Sequence, residues 1–250
     1  MPSCSVAGEV MSTNLWSGRW RGRTPAGDTH LRSREVIRPS GGIVRGKFPS
    51  RKNGRMVHHE GLLELEAIYI FETSPRVARY REQPSTIHYP DNAGLRRYTP
   101  DFELLLVSGE TVLVEVKPIR RLADSDVHHK LDRVSQHLRC SATPFVILTE
   151  MSLREEPRRS SLRWLYHQAP RVPPTVEAMR IALDKYRNYF PMSLKAADGL
   201  LSECHVDPYS LLLAGVLRCS LETAVSLDTQ VCLATESDDG WFFVAPEYGF

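Results

Sequence analysis

The chain reads as an α/β protein: a mixed β-sheet core flanked by helices, with a small, mostly helical C-terminal domain. Three observations predict this. Short apolar, β-branched runs at 102–107, 111–117 and 143–149 alternate with helical patterns at 59–71 and 125–138, the interleaving that a sheet covered by helices requires. Beyond Pro173-Pro174 the apolar positions recur mainly at helical spacing. With 250 residues, 42% of them hydrophobic, the chain can bury one sizeable core and a small appended domain.

Residues 1–40, rich in Gly, Ser and Arg, read as a basic flexible arm. Residues 1–59 hold 11 Lys and Arg against 3 Asp and Glu, a balance of +8, whereas residues 191–250 hold 2 against 9, a balance of −7. A basic leader contacts phosphates without reading sequence. Lys47, Arg51, Lys52 and Arg55 are its members nearest to the acids that follow, and are expected to bind DNA. An ordinary solubilising tail is the plainer alternative. Trp16 and Trp20 either stack on bases or anchor the arm locally.

His59 to Phe71 is strongly apolar and of ordinary helix length. Glu60 and Glu64, four apart, share one face, while Glu66 points elsewhere. In a helix packed on most sides, Glu64 is a half-buried acid that needs a partner. The bland alternative is the wet stripe of an amphipathic helix.

Phe102 to Val107 and Thr111 to Lys117 are expected to pair as a hairpin, with Ser108-Gly109-Glu110 as its loop. Asp101 then lies opposite Lys117, with Glu115 diagonal to it on the same face. Taking a carboxylate out of water is costly unless a metal or partner compensates. Two acids and a lysine on apolar strands therefore point to a divalent-metal site for phosphodiester hydrolysis. Mg²⁺ needs only a pair of carboxylates beside waters and phosphate oxygens. Lys117 would orient the attacking water or neutralise developing charge. An Asp and Glu paired with Lys on a solvated sheet face is the plain alternative.

Ser125 to Leu138, with Val127, Leu131, Val134 and Leu138 at helical spacing, is expected to pack across the sheet. Thr143 to Thr149 is expected to be a buried central strand. After Arg171-Val172-Pro173-Pro174 come helical stretches at 175–190, 193–203 and 209–219, then a strand at 225–233. That order is the pattern of a small winged-helix-like module. Its acidity argues for a protein partner, because phosphate would repel it.

Several stretches together resemble a known family. They are Gly46-Lys47-Phe48-Pro49-Ser50-Arg51-Lys52, Pro75-Arg76-Val77, Arg81-Glu82-Gln83-Pro84, Tyr98-Thr99-Pro100-Asp101-Phe102, Val114-Glu115-Val116-Lys117-Pro118 and Val146-Ile147-Leu148-Thr149-Glu150. In this order and spacing they look like the N-terminal nuclease domain of TnsA, the endonuclease subunit of Tn-seven-type heteromeric transposases. The resemblance implies a restriction-endonuclease-like, PD-(D/E)xK fold over residues 41–168, with an acidic partner-binding domain at 169–250. It places the family's helical acid at Glu64, with Glu60 as the fallback because Glu60-Gly61 departs from the usual Glu-Ser. The central acid falls on Asp101, the strand acid on Glu115 and the lysine on Lys117. It implies a Mg²⁺ cofactor, replaceable by Mn²⁺, held by Glu64, Asp101 and Glu115. The implied partners are double-stranded DNA at transposon ends, an integrase-type, TnsB-like transposase subunit, and a TnsC-like AAA+ ATPase that meets the C-terminal region. Gln83 matches a family position and reads first as a structural strand entry, with a weak catalytic role such as orienting water as the alternative.

Other classes find little support. No apolar run nears the length that spans a bilayer, and the N-terminus lacks a signal-peptide pattern. Five scattered cysteines build neither a disulfide framework nor a zinc site, so a cytoplasmic location is expected. His58-His59 and His128-His129 lack completing ligands. No phosphate-binding glycine loop is present. A stand-alone restriction or repair nuclease, and a non-catalytic adaptor bridging DNA to an ATPase, stay open beside the subunit reading.

Overall fold

The computed structural model describes residues 30, 32–33, 44–91, 94–235, 242 and 244–250. Apart from His30, Arg32 and Ser33, the basic arm read over 1–40, with Trp16 and Trp20, lies outside the described residues. No helix among them is long and apolar enough to cross a membrane.

An antiparallel hairpin of β1 (Gly46–Ser50) and β2 (Arg55–His59) leads into α1 (Leu62–Thr73). β3 (Val77–Glu82) follows, then a second hairpin of β4 (Ile87–Asp91) and β5 (Gly94–Tyr98). Next come β6 (Phe102–Leu106), β7 (Thr111–Val116), α2 (Ile119–Leu122), α3 (Ser125–Cys140) and β8 (Phe145–Leu148). The central sheet has the order β3-β6-β7-β8, with only the β7–β8 pair parallel. Leaving out the β4–β5 insertion, the order α1, β3, β6, β7, α3, β8 is that of a restriction-endonuclease-like core, as expected.

The sheet is covered on both faces, and alternation along the strands decides what each face meets. Val112, Val114 and Val116 of β7 join Phe102, Leu104 and Leu106 of β6 in the larger core, against Ala67, Ile68 and Phe71 of α1. Leu113 points the other way, into a smaller core with Leu131, Val134 and Leu138 of α3 and Tyr89 and Tyr98 of the inserted hairpin. α3 starts where expected because the Asp124 side chain accepts from the N–H groups of Asp126 and Val127.

The β6–β7 hairpin departs from expectation by two residues. Phe102 pairs with Val114 and Leu104 with Val112, so Val107-Ser108-Gly109 forms the loop. Gly109 supplies the positive φ, +90°, that closes a three-residue hairpin of this kind. Asp101 therefore falls opposite Glu115 rather than Lys117. Because the slip is even, no side chain changes face.

After α4 (Glu150–Leu153) and α5 (Arg158–Gln168), the C-terminal part builds α6 (Val176–Tyr186), β9 (Met192–Ser193), α7 (Leu194–Ser202), α8 (Pro208–Leu213), β10 (Leu217–Arg218) and β11 (Gln230–Leu233). A three-stranded sheet of order β10-β11-β9 completes a winged-helix-like arrangement. The helix expected over 209–219 stops at Leu213, where Gly215 (φ +73°) turns the chain and the Val216 N–H reaches back to the Leu211 carbonyl. α8 is buried along its length, with Tyr209 edge-on to Trp164 of α5 at 5.7 Å. It is packed against α5, α7 and β10 rather than open to solvent.

Candidate active site

Asp101 sits one residue before β6, 8% exposed, and its Oδ2 accepts the Val116 N–H at 2.9 Å. Glu115, 3% exposed, faces it from β7. One Glu115 oxygen lies 2.8 Å from Lys117 Nζ, and the other accepts the Tyr98 hydroxyl at 2.6 Å. Glu64 arrives from the first turn of α1, where its Oε2 accepts the Glu60 N–H at 2.7 Å in a capping-box-like contact. The structure thus brings Glu64, Asp101, Glu115 and Lys117 into one electrostatic neighbourhood.

The charges there are mutually unfavourable. Burial holds the Asp101 carboxyl well above the usual carboxylate range, and the carboxylates of Glu115 and then Glu64 push it further. Glu64 is pushed up to about 7, first by burial and then by the Glu60 and Glu115 carboxylates, against the bond from the Glu60 N–H. Burial pulls Lys117 down, but Glu115 and Asp101 outweigh it, so its ammonium is held protonated. Three acids around one lysine leave negative charge uncompensated in a dry place. Among the described residues no three acidic, His or Cys side chains stand close enough together to hold a metal ion. Each carboxylate instead leans on a hydrogen-bond donor. The donor set nevertheless fits a hard divalent cation, which needs carboxylate oxygens without a dedicated all-protein cage.

Two neighbours matter: Tyr98, which the sequence did not single out, and Gln83, for which it left a catalytic role open. Tyr98 is three residues before Asp101, so strand alternation puts it on the opposite face. The Thr99-Pro100 break between β5 and β6 returns its hydroxyl to Glu115. Gln83 donates its backbone N–H to the Asp101 carbonyl at 2.9 Å and has a left-handed φ of 45°. Its amide oxygen is buried without a hydrogen-bond partner. An unpaired buried acceptor on strained backbone beside the acids is more than a strand entry.

The phosphate contacts expected at β1–β2 need correction. Lys52 Nζ is buried on the carbonyls of Phe71 (2.9 Å), Val77 (2.6 Å) and Ser74. Arg55, 2% exposed, forks onto Glu82 at 2.9 and 2.6 Å. Arg51 lies over the Tyr166 ring at 4.2 Å and donates to the Tyr166 carbonyl. Buried carboxylates explain this. Glu72 accepts from the Ser50 hydroxyl, the N–H groups of Arg51 and Lys52, and the Tyr80 hydroxyl. Glu82 needs Arg55 and also binds Arg32. Of the four, Lys47 is the one whose side chain is exposed. Glu60, the fallback helical acid, is directed to Arg45 at 3.3 Å, and Glu66 pairs with Arg159 at 2.7 Å on the far side of α1.

A comparison with curated proteins finds no match. Residues 74–150 match the family model described as TnsA-like endonuclease N terminal. That segment contains Gln83, Tyr98, Asp101, Glu115 and Lys117, and Glu64 lies ten residues ahead of it. Over residues 74–150, the chain is thus similar to the N-terminal domain of TnsA-like endonucleases.

Proposed function

We propose that this chain is a Mg²⁺-dependent DNA endonuclease. It would work as the subunit of a Tn-seven-type heteromeric transposase that cuts the 5′, non-transferred strands at transposon ends. The observation that carries the reading is the cross-strand pair of buried acids, Asp101 and Glu115, with Lys117 on one of their oxygens.

Glu64, Asp101 and Glu115 would hold the cation, with Mn²⁺ able to replace Mg²⁺. Bound there, it would lower the pKa of a coordinated water and stabilise charge on the phosphate. The remaining roles belong to the chain itself. The carboxylates of Glu115 and Asp101 favour the ammonium form of Lys117, which would neutralise the charge that develops on the scissile phosphate. Tyr98 fixes the rotamer of Glu115 from the second oxygen. The Val116 N–H does the same for Asp101, so both acids are oriented before substrate arrives.

A separate integrase-type transposase would cut and join the 3′ ends, and an AAA+ ATPase would contact the acidic C-terminal module. The buried α8 and the −7 balance over residues 191–250 support a protein partner there rather than a second DNA surface. The test is nicking of transposon-end DNA by the assembled complex. Asp101→Ala is expected to abolish it while the fold persists, and full nicking by that variant would overturn the site. Cutting of naked DNA by the isolated chain with Mg²⁺ would instead favour a stand-alone nuclease.

A further inference from the structure

The core order α1, β3, β6, β7, α3, β8 needs nothing between β3 and β6. Yet β4 and β5 stand there as a hairpin whose strands, among the described residues, pair only with each other. Its two faces differ sharply. The inner face rests on α3: Tyr89 and Tyr98 are buried with Leu131 and Val134, and Asp91 is engaged by His129 at 3.1 Å and Arg96 at 3.5 Å. The outer face is built by the cross-strand pairs His88 with Arg97 and Pro90 with Leu95. All four side chains are exposed, Leu95 by 69%. The hairpin's one described acid, Asp91, is turned inward, so the outer face carries positive charge without a counter-charge of its own.

Position adds the rest. Arg97 directly precedes Tyr98, whose hydroxyl holds Glu115, and lies four residues before Asp101. Four extended residues reach at most roughly 14 Å, about four steps along one DNA strand. On the other side of the acids, exposed Arg120 and Arg121 follow Lys117 within four residues. Both segments leaving the acid cluster therefore present arginine to solvent. A two-stranded ribbon has the width that the major groove admits. An exposed leucine and proline beside arginine offer apolar contact to base edges next to a phosphate grip.

From this we infer that the outer face of the β4–β5 hairpin is the duplex-holding element of the nuclease. Arg97 contacts the backbone near the scissile phosphate, while Pro90 and Leu95 enter the adjoining major groove. The inference rests on the endonuclease reading and supplies the DNA grip that Lys52 and Arg55 cannot.

The experiment is fluorescence anisotropy of the full chain on a duplex oligonucleotide, with Ca²⁺ in place of Mg²⁺ so that nothing is cut. Arg97→Ala is expected to weaken binding and to flatten the dependence of log K on log salt by about 0.9, the share of one phosphate contact. Leu95→Ser is expected to weaken binding several-fold with the salt slope unchanged, because it removes an apolar contact. Melting temperature and Mn²⁺ binding by calorimetry should match wild type in both variants, since both side chains are exposed. Wild-type affinity and slope in both variants would overturn the hairpin's role while leaving a wild-type chain that cuts DNA as an endonuclease. A wild-type chain that neither binds nor cuts duplex, even with its partner subunits, would remove the endonuclease reading and this inference with it.

Discussion

The Tyr98 hydroxyl donates to Glu115 Oε2 at 2.6 Å while the Lys117 ammonium lies 2.8 Å from Oε1. One carboxylate is thus gripped at both ends by groups from different strands. If Glu115 binds the cation, Tyr98 orients a ligand without touching the metal. Such partners cost about 10- to 100-fold in metal affinity or activity when lost. Tyr98→Phe is expected to lower Mn²⁺ affinity in calorimetry by about tenfold, with nicking recovered at high metal. Unchanged affinity would mean that Lys117 and the strand backbone suffice.

Asp101→Asn should separate stability from function. The substitution removes a carboxylate that repels Glu115 and Glu64, while the Asn oxygen can still accept the Val116 N–H. Without divalent metal the variant is expected to be more stable than wild type by about 1 kcal/mol, a rise of roughly 2–4 °C in melting temperature. Wild type should gain stability on adding Mg²⁺ through binding to the folded state, and the variant should gain far less. An Asn variant that melts below wild type in chelator would show that Asp101 is not under electrostatic strain.

The acids were legible because face assignment tolerates an even error. The hairpin loop was read one residue late, which shifts the pairing by two, and the partner of Asp101 changed from Lys117 to Glu115 without moving either to the other side. Helical spacing put Glu64 on one face with Glu60 and the family resemblance chose between them, while Glu60 turned to Arg45. Tyr98 was hidden by the same alternation that exposed the acids, since only a break at Thr99-Pro100 brings it back. Glu72 and Glu82 were hidden for another reason. Their partners Ser50 and Arg55 lie 22 and 27 residues away, and no local period marks a pairing at that range. A basic run next to acids therefore read as a phosphate surface when half of it neutralises the core.

Lys52→Met tests that correction directly. The ammonium satisfies three carbonyls near the end of α1 and the start of β3, so losing it leaves buried acceptors unpaired at about 1–3 kcal/mol each. A fall in stability of about 3 kcal/mol in urea titration is expected, with duplex affinity and its salt slope unchanged. Weaker DNA binding at preserved stability would return Lys52 to the phosphate surface.

Glu82 supplies the clearest pH dependence. Burial pushes its carboxyl up, but the Arg55 fork, helped by Arg32 and His30, overcomes this and holds it at about 2. The folded value lies below the ordinary one of 4.5, so between them the unfolded chain binds more protons. The stabilisation is therefore complete above pH about 4.5 and is lost as pH falls towards 2, a total of about 3 kcal/mol. Glu64 works in the opposite sense at higher pH, because its raised carboxyl is relieved by protonation below about 7. Comparing wild type with Glu82→Gln at each pH isolates Glu82 from this. The variant leaves Arg55 buried without its charge partner and is expected to lose about 3–5 kcal/mol near neutrality. That gap should narrow steadily from pH 4.5 downward in denaturant titrations. A gap that stays constant down to pH 2.5 would mean that the Arg55–Glu82 pair is held by shape and packing rather than by charge.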